Sequence, residues 1–254
     1  MVVNKGKNSG VAGRRPVVTI DGPSGVGKST VSRLLAQQLG ATYLDTGAMY
    51  RAVGLVAERQ GIDPEDAATL EQCLAGIELE MLPAAGPADD VGVRLNGEDI
   101  SAAIRTPEAA MAASWISAYP PVRRRLTELQ RQLAAAGGVV AEGRDMGTVV
   151  LPAAEHKFYL DASAEERTRR RCQQLRQRGE QCVEQEILAQ IKRRDHDDSQ
   201  RVLAPLKPAA DAVIIDCSRL DAAAVVAYML ASIEENGGSA VGGMVGMELE
   251  DKRG

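Results

Sequence analysis

The stretch that most restricts how this 254-residue chain can fold is GPSGVGKS at residues 22–29. It satisfies the spacing G-x-x-x-x-G-K-[ST] in the setting that the pattern requires. The apolar, β-branched run VVTID (17–21) leads into it, and a helical pattern from Lys28 to Leu39 follows, with Val31, Leu34, Leu35 and Leu39 at helical spacing and Gly40 as the stop. Gly22, Gly25 and Gly27 allow the loop to curl so that backbone N–H groups and the helix N-terminus converge on phosphate oxygens. The pattern therefore predicts a triphosphate cradle built from Gly22, Pro23, Ser24, Gly25, Val26 and Gly27, with Lys28, Ser29 and Thr30 opening the helix. Lys28 would neutralise the β- and γ-phosphates, and the Ser29 hydroxyl would ligate Mg²⁺. A ligand-free glycine-rich turn is the competing reading, and the strand-turn-helix context argues against it.

Beyond this motif the chain alternates strand and helix. A strand at Tyr43–Asp45 precedes a helix at 47–60, which implies right-handed crossovers and a parallel sheet. Between Ile77 and Asn96 the pattern changes to the short strands IELEM and VGVRL, split by PAAGPADD and closed by the turn Asn96-Gly97. Helices resume at Pro107 behind a Thr106 cap, and again at 122–135. VVAE (139–142) and KFYLDA (157–162) continue the sheet. Ser163 and Glu166 form a capping box that opens a basic helix to about Arg178. A helix at 183–198, the strand VIID (213–216) and a helix from Asp221 complete an α/β chain with a central parallel sheet in three layers and a small β insertion.

Composition narrows the chemistry. Only seven aromatics and two histidines, His156 and His196, are present, which argues against base-stacking nucleic-acid modules and His-centred catalysis. Arginine outnumbers lysine by 23 to 7 although the net charge is −5, so the cations serve local recognition of phosphate or carboxylate, which the planar guanidinium fits. A GTPase would need an NKxD element after a strand, and the near match NKGK (4–7) lies in a tail. A motor ATPase would need an apolar strand ending in Asp, which VVAEG (139–143) matches only in part. Cys73, Cys172, Cys182 and Cys217 show no CxxC spacing and read as free thiols in a reducing cytosol. Residues 1–15 lack the apolar segment of a signal peptide and read as a flexible tail; 236–254 are glycine-rich and read as disordered.

Several separated segments, GPSGVGKST, LDTGAMYR (44–51), EGRDMGTVV (142–150), LDASAEER (160–167) and IKRRDHDDSQR with APL (191–206), together resemble the bacterial cytidylate kinase family over about residues 17–235. The resemblance implies a P-loop nucleoside monophosphate kinase that phosphorylates CMP or dCMP with ATP and Mg²⁺. It also implies a monomer, while the cysteine pattern, the scarcity of aromatics and the lack of a bilayer-length apolar run point to a cytoplasmic protein with no nucleic-acid or membrane partner. Its core would span 16–235, with an inserted CMP-binding subdomain at about 74–106 and an arginine-rich lid at about 167–184.

The same resemblance distributes roles. Thr46 would touch the acceptor nucleotide and Arg51 its phosphate; the plainer reading of Asp45 or Thr46 is a helix cap only, and capping can coexist with binding. Arg144 would hold the CMP phosphate, and Asp145 would accept the exocyclic amine of cytosine, which uracil lacks. Ser114 and Arg123 fall on the base side of the pocket. Arg194 and Asp198 would meet the ribose and Arg201 the transferred phosphate; a solvated face of i,i+4 pairs is the plainer reading of these three. Lys28, Arg144, Arg194 and Arg201 would thus be the catalytic cations. Arg167, Arg170 and Arg171 would close over ATP, within a stretch of six arginines in twelve residues (167–178). Glu142 is a candidate outer-sphere Mg²⁺ partner, with a salt-bridged sheet-end carboxylate as the alternative.

Overall fold

The protein is described by a computed structural model covering residues 15–236, apart from Pro64, Pro83, 85–89 and Arg178. In chain order, β1 (Val17–Asp21), α1 (Lys28–Leu39), β2 (Thr42–Asp45), α2 (Thr46–Gln60) and α3 (Ala67–Ala75) come first. The short strands β3 (Leu79–Leu82), β4 (Gly92–Leu95) and β5 (Glu98–Asp99) follow, then α4 (Pro107–Ile116), α5 (Pro120–Ala134) and β6 (Val139–Gly143). After a π-helical turn, Met146–Val150, the chain ends with β7 (His156–Asp161), α6 (Ala164–Gln177), α7 (Glu184–Gln200), β8 (Val213–Asp216) and α8 (Ala222–Asn236).

Five strands form a parallel sheet in the order β2-β6-β1-β7-β8, while β3, β4 and β5 pair antiparallel in a sheet of their own. All five residues of β1 are buried, because a central parallel strand is covered on both faces; this is why it reads as a continuous apolar run. Alternation along β6 divides the core in two. Val139 and Ala141 pack with α2, α3, α4 and α5, while Val140 packs with Val18, Ile20, Leu35, Phe158 and Met229 on the other face. The result is the expected three-layer α/β arrangement. The antiparallel strands join the first of these clusters through Val93 and Leu95.

Local signals match the elements where side chains act on their own backbone. Thr106 Oγ1 accepts from the Ala109 amide at 3.2 Å, and Gly40, at a φ of 57°, ends α1. The capping box forms by half: Ser163 Oγ accepts from the Glu166 amide at 3.1 Å, but the Glu166 carboxylate is drawn to Arg169 and Arg170 at 2.8 Å. Helix α3 is an element that sequence reading passes over, though Asp66 caps it and Leu70 and Leu74, four residues apart, bury its one apolar stripe.

One expectation is overturned. Cys172 and Cys182 form a disulfide with Cα atoms 5.4 Å apart, so only Cys73 and Cys217 are free. The ten-residue spacing carries no CxxC signature; the helix end at Gln177 and the turn at Gly179 bring the second cysteine back onto the first. The two tail expectations fall outside the described residues except at Arg15 and Asn236. Arg15 is tied down: its guanidinium donates to the Gly40 carbonyl at 2.7 Å and its own carbonyl accepts from the Gly138 amide. Among the described residues, no helix is long and apolar enough to cross a membrane.

Candidate active site

Parallel pairing places three sequence motifs in a row. Asp21 of β1 pairs with Gly143 of β6, and Asp45 of β2 pairs with Glu142, so GPSGVGKS, DTGAMYR and EGRDMG all emerge from the carboxyl edge of adjacent strands. Open α/β sheets bind ligands at this edge. The phosphate-type loop is made by glycines. Gly22, Gly25 and Gly27 have φ of 147°, 79° and 104°, in the region that favours glycine, and a Cβ on Gly22 would lie 2.1 Å from the Leu160 carbonyl oxygen. Lys28 is buried, and its ammonium donates to the Pro23 carbonyl at 2.6 Å. Burial, and then repulsion from Arg144, hold its pKa well below the ordinary lysine range.

Beside the loop, Glu142 is buried at the end of β6. The Tyr43 hydroxyl donates to its Oε1, while Oε2 has no hydrogen-bond partner. Burial first, then the neighbouring Asp45, push this carboxyl upward, with Lys28 opposing. Thr46 opens α2 and donates to the Glu142 carbonyl oxygen at 2.6 Å. Asp45 caps the same helix by accepting from the Ala48 amide at 2.9 Å, and its other oxygen holds Arg51 at 3.0 Å and Arg105 at 3.2 Å. Capping and guanidinium binding therefore coexist in one carboxylate.

A second cluster faces this edge from α4, α5 and α7. Asp198 is 1% exposed and lies between Arg144, at 2.9 Å, and Arg201, at 2.5 Å. Burial alone would raise its carboxyl, but Arg144, Arg201 and Arg194 together hold it below the usual carboxylate range. Arg201 also reaches Ser114 Oγ at 3.3 Å. The Arg194 Nε is buried without a hydrogen-bond partner, and burial followed by the nearby Arg144 lowers its pKa to about 10. Asp145 is 5% exposed and ion-paired with Arg123; burial raises its carboxyl against the pull of that guanidinium. Arg123 stands 5.9 Å from the centre of the Tyr50 ring, whose buried hydroxyl has no hydrogen-bond partner.

Comparison with known proteins decides the lineage. The model of the family described as cytidylate kinase matches residues 18–235. The chain belongs to this family. It is 48% identical to the cytidylate kinase of Citrifermentans bemidjiense, covering 86% of this chain and 93% of that one. It is 44% identical to the cytidylate kinase of Pasteurella multocida, over 87% and 96% of the two chains. It is also 47% identical to a bifunctional pantoate ligase/cytidylate kinase of Synechococcus elongatus, over 91% of this chain and 44% of that longer protein.

In this cytidylate kinase family member, the residues singled out by sequence gather in two connected groups. Arg144, Asp145, Arg123, Ser114, Arg194, Asp198 and Arg201 form one group, linked through Asp198 and Asp145. Thr46 and Arg51 adjoin it through Glu142 and Asp45. On the loop side, Arg167 and Arg170 donate to the carbonyls of Ser24 and Val26. They are already well occupied: Arg167 makes a bidentate pair with Asp195 at 3.0 and 2.6 Å, and Arg170 pairs with Glu166. Among the described residues Arg171 forms no ion pair.

Sequence reading missed four members of the site. Tyr43 stands two residues before Asp45 on one strand, so the period of two already places both on the same face. Tyr50 sits beside Arg51 in the LDTGAMYR segment, and only the fold brings it under Arg123. Arg105 has no local signal; the chain from β5 to α4 delivers it to Asp45 across 60 residues. Asp195 is hidden in a charge run and emerges only because α6 packs on α7.

Proposed function

We propose that the protein transfers the γ-phosphoryl group of ATP to CMP or dCMP, giving ADP and CDP or dCDP. The observation that carries this reading is the convergence of Arg144, Arg194 and Arg201 around Asp198, with Asp145 beside them, at the same sheet edge as the glycine loop. A triphosphate and a monophosphate can then lie side by side, which is what in-line transfer needs. Charge neutralisation and positioning supply most of the catalysis in such reactions, so the scarcity of histidine is no obstacle.

In this reading the loop amides and Lys28 hold the donor phosphates. Arg51 and Arg144 hold the acceptor phosphate, and Arg194 and Arg201 offset the charge that develops as the phosphoryl group moves. Asp198 keeps Arg144 and Arg201 side by side. The ribose contact belongs to the same cluster. Thr46 orients the acceptor from the first turn of α2. Asp145, Arg123 and Ser114 read the base, with the Asp145 carboxylate accepting the amine that distinguishes cytosine from uracil. Arg167, Arg170 and Arg171 belong to a helical lid whose closure keeps water from competing for the phosphoryl group.

The residues present fit a magnesium ion. The Ser29 hydroxyl lies in the exposed first turn of α1, and the unpartnered Oε2 of Glu142 is suited to accept from a metal-bound water. Among the described residues no group of three or more His, Cys, Asp or Glu side chains is placed to hold a metal ion. Magnesium would neutralise charge on the bound phosphates.

ADP release across a panel of CMP, dCMP, UMP, AMP and GMP tests the assignment. CMP and dCMP should give kcat/KM at least about tenfold above UMP, the value of one well-made hydrogen bond to a charged group. Equal turnover with every acceptor, or with none, would contradict it.

A further inference from the structure

Asp21 is a deeply buried carboxylate at the sheet edge to which the proposed reaction gives no part. It is 3% exposed, and it immediately precedes Gly22, the first residue of the glycine loop. Both of its oxygens are used. Oδ1 accepts from the Met146 amide and Oδ2 from the Gly147 amide, each at 2.8 Å. These are the first two amides of the π-helical turn that follows Arg144 and Asp145, and the orphan amides at a helix start are ordinarily satisfied by the residue just before it. Here that residue is Asp145, and its side chain makes no such cap; it faces Arg123 instead.

We infer that Asp21 is the positioning residue of the acceptor-reading loop: by capping the turn at Met146 and Gly147 from a neighbouring strand, it leaves the Asp145 carboxylate free to read the base. The inference rests on the assignment of base reading to Asp145. The surrounding packing leaves the loop little slack. A Cβ on Gly147 would lie 3.0 Å from Thr19 Oγ1 and 3.2 Å from Lys157 Cδ, and one on Gly143 would lie 2.7 Å from Met146 Cγ. On the other side, Gly22 is pressed against the Leu160 carbonyl, so the strand end that carries Asp21 has a fixed position. A single carboxylate at the end of β1, outside the glycine loop itself, thus holds the acceptor loop to the sheet. Burial, opposed by the Gly147 and Met146 amides, lifts the Asp21 carboxyl to about 6, as expected of a charge held in the interior for the amides it caps.

Three variants test this: Asp21→Asn, which keeps the shape but sets an NH₂ group against one of the two amides; Gly147→Ala, which strains the same contact from the loop side; and Asp145→Ala. The measured quantity is the ratio of kcat/KM for CMP to that for UMP, which a merely structural role would leave in place when folded protein is assayed. Asp145→Ala should lower the ratio about tenfold. Asp21→Asn and Gly147→Ala should each lower it severalfold, and Asp21→Asn should lower it no further once Asp145 is alanine. If Asp145→Ala lowers the ratio while folded Asp21→Asn preserves it, Asp21 does not position the loop. If Asp21→Asn does not fold, Gly147→Ala decides, and an unchanged ratio there overturns the inference. An unchanged ratio in Asp145→Ala overturns instead the base-reading assignment beneath it.

Discussion

The glycine loop and the acceptor cluster lie at one sheet edge but are built by opposite means. The loop is a backbone device: eight consecutive residues, three positive-φ glycines and one lysine, all within a single strand-turn-helix. The acceptor cluster is a side-chain device. It joins Arg144 to Asp198 across 54 residues and Arg123 to Asp145 across 22, with Arg201 reaching Ser114 across 87. A local device tolerates change elsewhere in the chain, whereas a distributed one depends on every element that delivers a partner. The two regions should therefore fail differently when damaged.

The largest loss is expected at the loop, and in rate alone. Lys28→Ala should reduce kcat on the order of a thousandfold, about 4 kcal/mol of transition-state stabilisation, while its thermal unfolding midpoint stays near that of the parent. Steady-state kinetics beside a melting curve would show it; normal turnover would remove Lys28 from the reaction. The next effect is expected at the cluster, and in stability. Asp198→Ala leaves three guanidinium groups gathered around a missing anion, which should cost about 3 kcal/mol and lower Tm by roughly 6–12 °C. A melting point within a degree of the parent would mean that Asp198 does not hold the cluster together. The smallest effect is expected at the disulfide between α6 and the segment before α7. Denatured, unreduced protein should show two titratable thiols and reduced protein four, and reduction should raise KM for ATP only about twofold by loosening a loop of modest length. Four thiols before reduction would refute the bridge.

The same contrast explains what could be read from sequence. The glycine loop, the cap at Thr106, the cap at Asp221, whose Oδ1 accepts from the Ala224 amide at 2.8 Å, and the alternation of strand and helix are legible because each signal and its partner lie within a few residues. The acceptor residues became legible only through resemblance, since nothing in IKRRDHDDSQR says which carboxylate will be buried between two arginines. Asp198 is; Asp197, next to it, forms at most a 4.0 Å contact with Arg193. The arginine-rich helix was readable in composition but not in use. Asp195, Glu166 and two loop carbonyls engage Arg167 and Arg170, a distribution set by the packing of α6 on α7. Asp21 looked like the end of a strand, and its role depends on a turn 125 residues later.

The separation of the two regions is the central claim, and calorimetric titration of Lys28→Ala with CMP tests it most directly. CMP should bind with a dissociation constant within about twofold of the parent, because Arg51, Arg144 and Asp145 are supported by Asp45, Asp198 and Arg123 and not by the glycine loop. A CMP affinity that falls tenfold or more would show that the donor loop is part of the acceptor site, and the division drawn between them would not stand.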